Sequence, residues 1–389
     1  MDDATPDRST QSVRGRLDRI DLLRGVAVLL VMLRHLQVPR PIDPAWLGPA
    51  IDLARRPAWS GVDLFFVLSG FLVSGLLFQE YRRFGSVQVG RFLIRRAFKI
   101  YPGFYFMLAA VYLLAHWNGG APERIQLLRQ ALFIQNYFPI PSQIWIHTWS
   151  LAVEEHFYLL LAIAASWAFR PGRMPPTWRA QVTGFTVVAL TVLAARVVAT
   201  VAALGQGWDP VKVYSPTHLR IDSLLFGVLL SALRHFNPDG WQRLVARRRT
   251  VLAASALLLS STLWFELADP ATSTLGYTFC YLGYGGVLVW VISAPESGRP
   301  RPGWWRGLVV IGTYSYPIYL WHLPVREFAL PAVARMVGPL SLAGSAAVYL
   351  VGSIVVGMGL GKLIELPFLR LRDAWFPSRS GGLATPRPT

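Results

Sequence analysis

Two adjacent carboxylates stand at the head of an apolar segment. Glu154 and Glu155 lie in the run WSLAVEEHFY (149–158), and the apolar residues 159–169 follow directly. Ionisable side chains at membrane depth are costly, so each one predicts a partner or a function. On a helix the two glutamates point about 100° apart, so only one of them faces a given site. Ser150 lies four residues before Glu154, and this polar neighbour favours Glu154 as the carboxylate that faces the site.

A histidine lies at the end of the first apolar segment. His35 follows Arg24 by eleven residues, which puts both on one helix face, about 16 Å apart along the axis. A histidine oriented by a carboxylate can act as a general base near neutral pH. Further ionisable residues lie in or beside other apolar segments: Asp63, Arg220, Asp222 and His322. The expected topology brings them together with His35 and the two glutamates in the outer half of a helical bundle.

Each of these residues also has a structural interpretation, and the sequence leaves both open. His35 can mark a helix end among lipid headgroups, and Asp63 in Ser-Gly-Val-Asp is a candidate N-cap. Arg220 with Asp222 is a candidate structural ion pair, and His322 a candidate core histidine. Tryptophans favour the membrane interface, and this is the simplest interpretation for a further set: Trp145, Trp149, Trp304 and Trp305.

A basic stripe precedes the third apolar segment. Arg91, Arg95 and Lys99 repeat every four residues, with Arg96 beside them. The stripe could lie on anionic lipid. It could equally bind phosphate groups, which arginine grips through two parallel hydrogen bonds.

Composition places these residues in a membrane protein. Of 389 residues 53% are hydrophobic and 15% charged, against about a quarter charged in a soluble domain. We predict an all-α, polytopic bundle of about ten transmembrane helices, because a span needs roughly 20 apolar residues. The expected spans are 20–38, 60–80, 101–117, 149–169, 182–204, 217–235, 250–267, 275–293, 308–329 and 340–363.

The positive charges set the expected orientation. Most of the 38 Lys and Arg residues fall in alternate loops and in both tails, which predicts that both termini are cytoplasmic. The net charge of +17 is then an orientation signal, and no nucleic-acid partner is expected. The single cysteine and the lack of an HExxH motif predict no metal site. The predicted division is a cytoplasmic polar tail 1–19, a membrane domain 20–370 and a cytoplasmic C-terminal tail 371–389.

Six motifs in order resemble acyltransferase family 3, whose members are integral membrane O-acyltransferases of sugars, polysaccharides or glycosylated metabolites. The resemblance covers about residues 18–370. The motifs are Arg24 with His35, GVDLFFVLSGF (61–71), RRAFKIYP (95–102), WSLAVEEHFY (149–158), RIDSLLFG (220–227) and TYSYPIYLWH (313–322). One departure is Arg96-Ala-Phe-Lys99, where the family often has Arg-x-x-Arg. A lysine keeps the charge but loses the two-pronged grip, which puts the role of Lys99 in doubt.

The resemblance implies a donor and a mechanism. The donor would be a cytoplasmic acyl-CoA, with acetyl-CoA expected, and no cofactor would be bound permanently. Donor phosphates would bind the cations Arg24, Arg91, Arg95, Arg96 and Lys99. In a direct transfer, His35 would be the base, Glu154 or Glu155 would orient it, and Arg220 would stabilise the oxyanion. A route through an acylated residue stays open, and Asp63, Trp149, Asp222 and His322 would bind substrate or support the structure.

The resemblance also implies the surroundings. The acceptor would be a hydroxyl of a carbohydrate, and the location a multi-pass position among the lipids of the bacterial cytoplasmic membrane. No soluble esterase-like domain follows the tenth predicted span before Thr389. We therefore expect the chain either to complete the transfer or to hand the group to a separate partner in glycan biosynthesis. The alternative function is a transporter or exporter of a glycan or lipid without acyl-transfer chemistry.

Overall fold

The described part of the chain is helical throughout. A computed structural model describes residues 8–38, 46–120, 122–138, 143–170, 174–295 and 300–379, which contain no β-strand. The α-helices are α1 (Arg8–His35), α2 (Leu47–Arg55), α3 (Gly61–Phe84), α4 (Val89–Trp117), α5 (Arg124–Ala131), α6 (Trp149–Ala168), α7 (Trp178–Gly205), α8 (Val211–Tyr214), α9 (Ile221–Phe236), α10 (Pro238–Ala246), α11 (Arg248–Trp264), α12 (Tyr277–Ile292), α13 (Gly303–Thr313), α14 (Ser315–Pro324), α15 (Leu330–Val337), α16 (Leu342–Leu360) and α17 (Leu366–Trp375).

Short 3₁₀ and π turns join several of these helices. The 3₁₀ turns are Arg56–Ser60, Gln135–Tyr137, Gln143–Thr148 and Thr217–Leu219, and the π turns are Thr272–Gly276, Val325–Ala329 and Gly361–Glu365. Local sequence sets some of the boundaries. Thr177 begins α7 by accepting a hydrogen bond from Ala180 N at 3.3 Å, and Ser341 begins α16 in the same way through Gly344 N at 3.1 Å. Such caps satisfy backbone donors that a helix start leaves unpaired.

Six helical stretches of the described chain are long and apolar enough to cross a membrane. They are Leu47–Phe84, Val89–Trp117, Ile144–Ala168, Trp178–Gly205, Thr272–Ile292 and Leu342–Trp375. The prediction of an all-α membrane bundle is therefore confirmed. The count of ten spans and the sides of the termini stay predictions.

Helices α3 and α9 form a central, closely packed pair. A Cβ on Gly70 of α3 would lie 1.9 Å from Leu224 O, and a Cβ on Gly227 of α9 would lie 2.3 Å from Val67 O. Only glycine permits this approach of two backbones, as in other membrane helix pairs. The crossing brings Asp63, at the start of α3, beside Arg220, at the start of α9.

Two helices extend into the predicted tails. Helix α1 begins at Arg8, inside the predicted tail 1–19, and α17 runs on to Trp375, inside the predicted tail 371–389. The following residues, up to Arg379, contact α3 and α4. Residues 1–7 and 380–389 of the two tails lie outside the described residues.

Candidate active site

Two cavities meet beside Arg24, near the middle of α1. The first has a volume of about 170 Å³ and lies between α1, α3, α4, α6 and α14. Its polar lining consists of Arg24, Ser69, Arg96, Lys99, Ser150, Glu154, Tyr158, Ser315, Tyr316 and Tyr319. Three cations thus surround one carboxylate inside the bundle. We refer to it as the glutamate cavity.

The two glutamates lie in different surroundings. Glu154 lines the glutamate cavity together with Ser150 and Tyr158. The Tyr158 hydroxyl lies 3.4 Å from Glu154 Oε2 and 2.8 Å from Ser69 Oγ. Glu155 is absent from this lining. The Glu155 side chain is buried and its Oε2 accepts a hydrogen bond of 3.1 Å from the Tyr101 hydroxyl.

The second cavity has a volume of about 270 Å³ and is bounded by α1, α3, α4 and α17. The predicted basic stripe lines it through Arg91, Arg95, Arg96 and Lys99. Arg24, Arg96 and Lys99 line both cavities, so these three side chains form a cationic junction between them. We refer to the second cavity as the basic cavity.

The stripe and Arg24 also have protein partners. Lys99 pairs with Glu365, and Arg24 Nη1 lies 3.2 Å from Asp21 Oδ1. The guanidinium of Arg96 lies over the Tyr158 ring at 5.3 Å. Arginine in this position combines cation–π attraction with free donor groups for an anion.

Three histidines cluster at the C-terminal end of α1. The ring centroids of His35 and His322 are 5.3 Å apart, and those of His147 and His322 are 5.0 Å apart. His147 Nε2 contacts Leu320 O at 3.1 Å, and His322 Nδ1 contacts Tyr319 O at 2.6 Å. Because a carbonyl oxygen only accepts, each of these nitrogens must carry the hydrogen, which assigns the tautomers. His147 Nδ1 and His322 Nε2, both buried and without a hydrogen-bond partner, are then bare acceptors.

The histidine cluster is separated from the glutamate cavity by one hydrogen-bonded pair. Tyr319 and Ser150 both line the cavity, and their hydroxyls are 2.6 Å apart. The Tyr319 hydroxyl also donates to His147 O at 2.7 Å. The structure shows no hydrogen bond between either glutamate and the ring of His35 within the described chain. The expected contact between a glutamate and this imidazole is therefore not formed.

Arg220 and Asp222 do not form the ion pair that was considered. Arg220 Nη2 bonds Asp63 Oδ1 at 2.7 Å, whereas Asp222 Oδ2 bonds Arg196 Nη2 at 2.9 Å. All four side chains are fully buried, and the Arg220 guanidinium lies 3.8 Å from the Tyr277 ring centroid. Helix α3 begins at Gly61 with Ser60 at its N-cap, so Asp63 lies inside the first turn as an ion-pair partner and its interpretation as the N-cap is wrong. None of the four lines either cavity, so Arg220 lies away from the position expected of an oxyanion ligand.

Two of the four tryptophans predicted for the membrane interface are buried inside the bundle. Trp145 is 0% and Trp149 5% exposed, so neither forms an interface belt. Trp149 packs on Tyr214 with ring centroids 4.4 Å apart, and its ring lies 5.7 Å from the Arg220 guanidinium. Trp149 therefore supports the buried ion pair.

The structure adds residues that the sequence interpretation did not select. His147 and Tyr319 connect the histidine cluster to the cavity, Tyr158 holds Glu154, and Arg326 Nη1 donates to His35 O at 3.2 Å. His147 stands directly before the run that contains Glu154, and Tyr319 lies within the run that ends at His322. Both are polar residues within or beside apolar segments, and this feature of the sequence could have identified them. No group of three or more His, Cys, Asp or Glu side chains in the described ranges is arranged to hold a metal ion.

The structure is an all-helical membrane bundle with a cationic cavity. Helix α1 contributes Arg24 to that cavity and ends at His35. These features agree with the family that the motifs suggest. A family model described as acyltransferase domain matches residues 17–362. The chain belongs to acyltransferase family 3.

Named relatives fall in the same class. The chain is 29% identical over 356 residues to peptidoglycan O-acetyltransferase OatA of Listeria monocytogenes, covering 84% of this chain and 52% of that protein. It is 26% identical over 335 residues to O-acetyltransferase OatA of Staphylococcus aureus, covering 80% and 51%. Putative peptidoglycan O-acetyltransferase YrhL of Bacillus subtilis is 28% identical over 334 residues, covering 80% and 49%. The chain spans about half the length of these relatives, and no solved structure matches it.

Proposed function

We propose that this chain is a membrane O-acetyltransferase that transfers an acetyl group from acetyl-CoA to a carbohydrate hydroxyl. The observation that carries the proposal is the cationic junction of Arg24, Arg96 and Lys99 between two cavities. His35 lies on the same helix as Arg24, about 16 Å further along the axis. The names of the relatives point to peptidoglycan as the class of acceptor.

The donor would enter from the basic cavity. Its phosphates are anions that Arg91, Arg95, Arg96 and Lys99 can bind, and its pantetheine arm would pass the junction into the glutamate cavity. This requires the N-terminal end of α1 to face the cytoplasm, in agreement with the positive-inside rule. The location would be the bacterial cytoplasmic membrane, with lipid around the bundle.

In a direct transfer, His35 removes the proton of the acceptor hydroxyl as its oxygen attacks the thioester carbonyl. A carbon–oxygen bond forms, the carbon–sulfur bond breaks, and the proton passes from His35 to the departing CoA thiolate. His322 offers its bare Nε2 within the same cluster and would position His35. An alternative route would use the same side chains but would first bind the acetyl group covalently to a residue of the protein.

Glu154 would act on the donor side in this proposal. It lies in the glutamate cavity among Arg24, Arg96 and Lys99, where a carboxylate fixes the positions of the cations around the thioester arm. Arg220 has the role of holding α3 to α9 through Asp63. The oxyanion would instead meet the Tyr319 hydroxyl, which lies next to the histidine cluster.

The experiment uses purified protein in nanodiscs, acetyl-CoA labelled in the acetyl group, and a peptidoglycan oligosaccharide as acceptor. We expect free CoA to appear together with label on the oligosaccharide, and we expect neither with His35→Ala. If the wild-type protein binds the oligosaccharide and moves it across vesicles without releasing CoA, the chain is an exporter and the proposal is wrong. Label that stays on the protein would indicate the covalent route.

A further inference from the structure

The segment after α17 covers the mouth of the basic cavity. Arg91 Nε donates to Pro377 O at 3.1 Å, and Arg95 donates to Phe376 O. Arg379 Nε lies 3.3 Å from Glu80 Oε1. Residues of this segment therefore occupy donor groups that the proposed function assigns to phosphate.

Asp373 is held by two arginines at this mouth. Its Oδ1 lies 3.0 Å from Arg95 Nη2. Arg372 donates to both oxygens, from Nε to Oδ1 at 2.9 Å and from Nη2 to Oδ2 at 3.0 Å. A carboxylate gripped by two guanidinium groups has the geometry of a phosphate between two arginines.

Arg372 is suited to bind a ligand from the cavity. It lies within the predicted cytoplasmic tail 371–389, lines the basic cavity and is only 8% exposed. A buried arginine directed into a cavity needs an anion, and Asp373 on the same helix provides one in this structure. A phosphate monoester carries up to two charges against one on a carboxylate, so it would compete effectively for both arginines.

We propose that Arg95 and Arg372 form a binding site for the ribose 3′-phosphate of the donor nucleotide, and that Asp373 fills this site until the donor binds. The inference rests on the proposed function. The position follows from the order of groups in acyl-CoA. When the thioester arm passes the junction at Arg24, the nucleotide remains at the mouth of the basic cavity, where Arg95, Arg372 and Asp373 meet.

The test compares the binding of CoA and 3′-dephospho-CoA to the full chain in phosphatidylcholine nanodiscs. The wild-type protein should bind CoA at least tenfold more tightly. Arg372→Gln should weaken CoA binding about tenfold and leave dephospho-CoA binding unchanged. Asp373→Asn should strengthen CoA binding several-fold, with little change for dephospho-CoA. The matched control is Arg370→Gln, because Arg370 is an exposed cation on α17 two residues away and lines neither cavity.

The outcomes separate the inference from the proposed function. Equal wild-type affinity for CoA and dephospho-CoA, or equal losses for both in Arg372→Gln, would overturn the 3′-phosphate site and leave the donor intact. Weaker CoA binding in Asp373→Asn would also overturn it, and this variant keeps the test valid if Arg372→Gln does not fold. No CoA binding by the wild-type protein would overturn the proposed function itself.

A second source of a phosphate monoester is phosphatidic acid in the membrane. A nucleotide site predicts that phosphatidic acid added to the nanodiscs leaves CoA affinity unchanged in both wild-type protein and Arg370→Gln. If the lipid displaces CoA from the wild-type protein but no longer binds Arg372→Gln, the site takes a lipid headgroup and the assignment to the nucleotide is wrong.

Discussion

At the scale of single residues, backbone contacts determine which nitrogens of the histidine cluster donate and which accept hydrogen bonds. Two backbone carbonyls fix the tautomers of His147 and His322, which leaves a bare nitrogen on each ring. A buried bare nitrogen is an acceptor without a donor, and such a group is costly unless a ligand supplies the missing hydrogen. An acceptor hydroxyl would do so beside His35.

We expect His35→Ala to abolish acetyl transfer and leave folding intact. Loss of a general base costs about 10²–10⁴ in rate, and the His35 ring is partly exposed, so its removal leaves only a small cavity. The measurement is CoA release per folded molecule, with detergent melting temperature as the folding control. Turnover above roughly a tenth of the wild-type rate would remove His35 as the base.

Conservative substitutions of the two glutamates should have different effects. Glu154→Gln keeps the shape of the side chain that lines the glutamate cavity but removes its charge. The junction cations then lose the carboxylate that fixes them around the thioester arm, so turnover should fall roughly a hundredfold. Glu155→Gln is the matched control. Because Glu155 is buried and bonded to Tyr101, its change should lower yield and melting temperature more than turnover per folded molecule. A stable but inactive Glu155→Gln with an active Glu154→Gln would reverse the assignment.

At the scale of helices, α3 and α9 are joined by two kinds of contact. Close backbone approach at Gly70 and Gly227 permits a short distance between the helices, and the Asp63–Arg220 pair then closes at their ends. The second pair, Arg196 with Asp222, ties α7 to α9. These contacts hold α7 and α9 in fixed register with α3, which lines both cavities.

Gly227→Ala should destabilise the bundle. The added Cβ would meet Val67 O at 2.3 Å, and overpacking of this kind costs typically about 1–3 kcal/mol. Gly184→Ala in α7 is the matched control, because a Cβ there meets no atom within 4 Å and alanine favours helix. The melting temperature in detergent should fall only for Gly227→Ala. Equal melting temperatures for the two variants would show that α3 and α9 are not in close contact at Gly227.

Asp63→Asn should harm folding more than catalysis. Removing one partner of a buried ion pair costs about 3–5 kcal/mol, because the remaining charge is left without compensation. The folded yield should drop, while turnover of the fraction that folds stays within a few-fold of the wild-type value. A well-folded Asp63→Asn protein without activity would place the pair in the catalytic machinery.

At the scale of the whole molecule, the two cavities and the histidine cluster lie in sequence along α1. The basic cavity comes first, the glutamate cavity second, and the histidines third, beyond Tyr319 and Ser150. Under the proposed function, this order would let the donor and the acceptor enter from different sides. The acetyl group would then be transferred beside the hydroxyl pair of Tyr319 and Ser150.

The orientation can be measured with single cysteines. The native Cys280 is buried, so an impermeant maleimide should report only introduced thiols. Ala374 and Trp117 are both exposed and lie at the α17 side and at the far end of α4. We expect Ala374→Cys to react only in inverted vesicles and Trp117→Cys only in right-side-out vesicles. The opposite pattern would move the basic cavity outside and exclude a cytoplasmic donor.

The membrane class, the helical fold and the family were all predictable from the sequence. These follow from local composition, periodicity and motif order, which do not depend on how helices meet. Tertiary structure alone decided which charges pair. Arg220 bonds Asp63 of a distant helix in place of its sequence neighbour Asp222, and Trp149 is buried against that pair. Likewise, only packing revealed that Glu154 and His35 lie on opposite sides of Tyr319 and that Arg372 faces a cavity. Side-chain partners across helices are set by close approach at positions such as Gly70 and Gly227, and that distance is a property of two helices together.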